Sequence, residues 1–133
     1  MTQLFCSPEN SEPFWRRIGF LNFPGIPYQS TINMYKTLVD TLNASKEEST
    51  KSVIKLWNCE PYQARGVEPK WIWNLSFLED GETLTKPIIF PVYRDWQIEL
   101  TLPDRNNILD KIKYSGVDSA AYGSFMIIRK INV

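Results

Sequence analysis

Five groups of residues in this chain are of types that can do chemistry, and their spacing limits what that chemistry is. Arg16 and Arg17, inside FWRRIGF at residues 14–20, can grip an anion at a helix end. Trp71 and Trp73, two apart in WIWNLSFL, fall on one side of a strand, as paired aromatics do in platforms that stack sugars or unpaired bases. Glu79, Asp80 and Glu82 are the densest carboxylates, but they straddle an Asp-Gly turn and fall short of the six or so oxygens calcium takes, so we read a solvated turn and no metal site. Residues 63–67 (QARGV) hold part of a phosphate-cradling pattern without the second glycine or a following helix, which leaves an ordinary loop. Cys6 and Cys59 are too few for a disulfide framework or a four-thiolate zinc site, and reduced thiols are expected.

The chain has no histidine. Ser-His-Asp and Cys-His catalysis, imidazole-bound zinc and the commonest proton shuttle at neutral pH are thereby excluded. For Trp71 and Trp73 the competing reading is a core face, since Leu75 and Phe77 continue the same stripe, and aromatics usually sit inside. That reading is favoured, and it extends to Trp15, Trp57 and Trp96.

These residues need elements to hold them. A short helix is predicted over residues 10–18, with Asn10 or Ser11 as cap, Pro13 near its start and Gly19 ending it. Residues 20–23 then begin an extended segment, Pro24, Gly25 and Pro27 break it, and residues 31–38 return as a strand. The polar run at 42–52 reads as a loop or linker. Strands are predicted at 53–57, 71–78, 83–93 and 96–102, with Pro87 and Pro91 placing the third at a sheet edge. Ile108, Leu109 and Ile112 after Asp104 predict a short amphipathic helix within 104–114. Residues 124–131 (SFMIIRKI) read as an inner strand.

The fold class expected is α+β, an antiparallel-dominated twisted sheet with two or three short helices. A chain of 133 residues fits one domain, with the strand-rich part at 53–133. Apolar residues at 43% exclude intrinsic disorder, and fifteen basic against fifteen acidic residues leave no field to draw the chain to nucleic acid or anionic lipid. There is no signal-peptide pattern and no apolar run long enough to span a bilayer, so a cytoplasmic location is expected, with no membrane partner.

FWRRIGF has a further meaning. Phe14, Trp15, Gly19 and Phe20 resemble the Phe-Tyr-x-x-x-Gly-Phe element of GNAT N-acetyltransferases, in which a helix ends in glycine and enters the penultimate strand. Met34-Tyr35-Lys36-Thr37-Leu38 is similar to a sequence that often finishes a later strand of that family. The resemblance covers residues 11–42 and implies the C-terminal part of a GNAT-like fold. It departs from the family in two ways. Only thirteen residues precede Phe14, too few for the upstream turn that holds the acetyl-CoA pyrophosphate, and Trp15 replaces the tyrosine that often serves as acid. The leading expectation is therefore a non-catalytic interaction or accessory domain, without cofactor, that binds a protein partner or itself. One rival is an acetyl-CoA-dependent N-acetyltransferase completed by another chain, with Arg16 and Arg17 toward the cofactor and Tyr28 or Tyr35 as acid. The other is a small-ligand or sugar-binding module using Trp71 and Trp73.

Overall fold

The computed structural model describes residues 2–6, 11–22, 32–122 and 125–132. The chain forms two compact units, Met1–Asp40 and Thr41–Val133, and both are α+β or β with every described strand pairing antiparallel.

In the first unit, strands β1 (Thr2–Cys6), β2 (Leu21–Asn22) and β3 (Ile32–Lys36) make a sheet in the order β1-β3-β2. Helix α1 (Glu12–Arg17) starts with Glu12 and Pro13 in its first turn, where a negative charge is favourable and a missing amide hydrogen costs little. Ser11 stands at the cap position but makes no side-chain cap bond. The other end explains FWRRIGF. Gly19 takes φ +97°, its amide donates to the Arg16 carbonyl at 3.1 Å, and the Phe20 amide donates to the Trp15 carbonyl at 3.0 Å. This pair of bonds closes the helix as a Schellman motif, and the hydrophobic contact that accompanies such motifs is Trp15 against Phe20, ring centroids 5.5 Å apart. Phe20 and Met34 are buried with Trp15 packed against them.

In the second unit, β4 (Val53–Leu56), β5 (Trp71–Asn74), β7 (Gln97–Thr101) and β8 (Ile108–Lys111) form a four-stranded sheet in the order β5-β4-β7-β8. A second sheet, β6-β10-β9, is built from β6 (Thr83–Pro91), β9 (Asp118–Tyr122) and β10 (Phe125–Lys130). One core joins them: Ile54, Leu56, Trp73, Ile98 and Leu100 from the first sheet cluster with Ile88, Met126 and Ile128 from the second. Register sets this up, because Ile54 faces Trp73 and Leu100 while Leu56 faces Trp71 and Ile98, so these six side chains share one face. β6, with its two prolines, is an edge, and β10 is the middle strand, as the sequence implies.

Several segments differ from expectation, and the strand predicted at 71–78 extends only over Trp71–Asn74. Residues 108–111 are a strand, paired Leu100 with Ile108 and Gln97 with Lys111, followed by a 3-10 turn at Ile112–Tyr114. Ile108 and Ile112 are four apart, a spacing that suits a helix turn and an alternating strand equally, and pairing with β7 decides it. Leu109, assigned to the apolar face of a helix, is 58% exposed. Asp104, expected as a cap, instead holds φ +60° in the turn between β7 and β8. Within the loop predicted at 63–67, Gln63 and Ala64 finish a one-turn helix, α2 (Pro61–Ala64), closed by a reciprocal capping box between Glu60 and Gln63. No helix among the described residues is long and apolar enough to cross a membrane.

Candidate functional site

Arg16 and Arg17 occupy the last turn of α1. Arg16 Nε pairs with Glu12 Oε1 at 3.0 Å, Asn22 Nδ2 donates to the same oxygen at 3.1 Å, and these two hydrogen bonds hold the Glu12 carboxyl below its usual range. Arg17 Nε donates to the Pro13 carbonyl at 3.4 Å. A helix C-terminus carries partial negative charge, so it favours these cations and disfavours an anion beside them. Tyr28 lies outside the described residues. Tyr35, on β3, is 1% exposed, and burial raises its hydroxyl to about 12. A proton held that tightly is poorly matched to transfer at neutral pH.

Trp73 is 2% exposed and belongs to the core, so Trp71 and Trp73 do not offer two open faces. Trp71 is only half-buried, and its neighbours make a different group. Its ring lies 4.5 Å from Phe90 on β6, 6.5 Å from Trp73 at an interplanar angle of 26°, and 6.1 Å from Trp96 at 22°. Trp96 in turn meets Tyr93 edge-on at 5.0 Å. The line of rings thus runs from the core to the surface, where Tyr93 is 43% exposed. Two strands and a turn place it: β5 supplies Trp71, β6 supplies Phe90, and the turn into β7, closed by the Trp96 amide on the Tyr93 carbonyl at 3.0 Å, supplies the last two.

The 3-10 turn completes the rim. The Ile112 amide donates to the Trp96 carbonyl at 2.9 Å and the Lys113 amide to the Arg94 carbonyl at 3.1 Å, which brings Tyr114, 66% exposed, to the same end of the sandwich. Lys113 Nζ binds Asp95 Oδ1 at 2.6 Å and sits 5.0 Å over the Tyr114 ring. The pairing raises the lysine and lowers the aspartate, each chiefly through their shared hydrogen bond. Such a surface offers aromatic area, two hydroxyls and a charge pair.

Alternation along β5 makes Trp71 legible from the sequence but joins it to Trp73. Trp96 is brought to Trp71 by β4 lying between β5 and β7, a long-range pairing. The Tyr93-Arg94-Asp95-Trp96 turn was the signal that an aromatic pair would meet at its ends. Among the described residues no three His, Cys, Asp or Glu side chains converge as metal ligands, and Cys59 is a half-buried free thiol. Comparison with protein-family models, curated proteins and solved structures gives no match to this chain.

Proposed function

We propose that the chain is a non-catalytic α+β interaction domain that binds a protein partner through the rim formed by Tyr93, Trp96, Trp71 and Tyr114. The observation that carries this reading is the continuous line of rings from a packed core to the exposed Tyr93. Tyrosine and tryptophan dominate binding energy at protein interfaces, and an anchor backed by a packed core loses little freedom on docking. The charge pair Lys113–Asp95 adds the polar border such surfaces carry.

A second copy of the chain is the first partner to test, because a formal net charge of zero leaves no overall repulsion between copies. Sedimentation over a wide concentration range is expected to show reversible association that Tyr93→Ser with Tyr114→Ser weakens, and a strictly monomeric chain would remove the self-association form. The likeness of residues 11–42 to GNAT enzymes adds a proposed origin, not a cofactor role. Calorimetry with acetyl-CoA separates the two: no heat is expected, and micromolar binding by the chain would restore the acetyltransferase reading.

A further inference from the structure

A pocket of about 210 Å³, open to solvent on one side, lies at the place where the turn before β6, the turn between β7 and β8, and the residue after β10 converge. Phe77, Leu102, Pro103 and Ile131 give it apolar walls, and Ser52 and Arg105 are its main polar groups. Arg105 makes no hydrogen bond or ion pair among the described residues. The Ser52 carbonyl is already used, by the Leu75 amide at 2.8 Å and the Thr50 hydroxyl at 2.8 Å, whereas its Oγ takes part in no such bond. Asp104 sits between Pro103 and Arg105 at φ +60°, a conformation aspartate enters more readily than most residues, and this reversal lets both flanking residues line the same cavity.

Size and chemistry narrow the occupant. A cavity of ~150 Å³ admits a benzene ring and drug-sized ligands take ~300 Å³ or more, so this one suits a compact body of roughly six to ten heavy atoms. An exposed guanidinium without a protein partner, at the edge of an open pocket with one apolar side, is matched by a carboxylate, which it can hold through two parallel hydrogen bonds. We infer that the cavity binds a small carboxylic acid with a branched or cyclic apolar body, its carboxylate on Arg105 and the Ser52 hydroxyl, its body on Phe77, Leu102 and Ile131. None of these residues belongs to the aromatic rim, so the inference stands apart from the interaction reading.

The test is a titration of the full chain with 4-methylpentanoate, followed by amide proton–nitrogen correlation spectra, with 4-methylpentanamide as the uncharged twin. Saturable shifts confined to residues around the cavity are expected, with the amide bound about tenfold more weakly, as suits the loss of one charge-assisted contact. Arg105→Gln is expected to weaken the acid by about the same factor and Arg105→Lys by less, because a point charge replaces the fork. Arg105 is exposed, so both variants are expected to melt with the parent. The inference fails if the acid gives no saturable shifts at Phe77, Leu102, Arg105 and Ile131, or if acid and amide bind the parent equally. The last comparison needs no variant at all.

Discussion

Asp80 is the residue through which the turn before β6 responds to acid. Its carboxylate accepts hydrogen bonds from the Thr83 hydroxyl and from the Thr83 and Glu82 amides, and in that order of bonding to Thr83 and then Glu82 it is drawn down to about 2. An unfolded aspartate titrates near ~3.9, so the folded form prefers the charged state. The contribution is therefore complete above about pH 4 and is lost as pH falls toward 2. A carbon-detected titration of Asp80 is expected to give a midpoint near 2, and a midpoint near 4 would contradict the bonding described. Tyr35 shifts the opposite way, with its hydroxyl raised to about 12 by burial. Its stabilising effect is present below the ordinary tyrosine value of ~10 and is lost between there and about 12, so absorbance titration should show one tyrosine ionising late. Gly19 is a steric case. A Cβ there would stand 3.3 Å from Lys36 Cε, and φ +97° is itself unfavourable for an L side chain. Gly19→Ala is expected to cost ~1–2 kcal/mol in urea unfolding, partly by disturbing the Lys36 Nζ bond to the Ile18 carbonyl at 2.7 Å.

At the scale of elements, strand β5 carries a buried indole and a half-buried one within four residues. Trp73→Ala should destabilise the second unit by ~3–5 kcal/mol, the range for a large buried aromatic. Trp71→Ala should cost less stability and more partner binding, since its ring is half-buried at the rim. Equal stability losses from the two would show that the rim is only core. The elements legible from sequence are those whose signal is local: α1 with its glycine stop, the alternating β7, the apolar β10 and the proline-marked edge β6. β9 was not legible, because Ser119, Ala120 and Ala121 carry little strand propensity and are held by pairing with β10. β1 is not legible because TQLFC sets Leu4, Phe5 and Cys6 side by side without alternation, and α2 because its four residues are too few to show a period. Of the candidate site, Trp71 was legible and its grouping with Trp96 was not, because strand order is invisible to periodicity.

For the whole molecule, the division at Asp40 and Thr41 falls just before the polar run that opens the second unit. All of that unit's principal core cluster lies within Thr41–Val133. A chain of residues 41–133 is accordingly expected to unfold in one cooperative denaturant transition, and a gradual loss of signal would show that its core is insufficient. The near-parallel indoles of Trp71, Trp73 and Trp96 bring one more property. Chromophores this close share their electronic excitations, so far-ultraviolet circular dichroism should contain a split pair of bands of opposite sign arising from that end of the sandwich. Docking that rotates Trp71 or Trp96 would change those bands while the amide spectrum of the strands stayed as it was, giving the molecule an intrinsic optical gauge that requires no label.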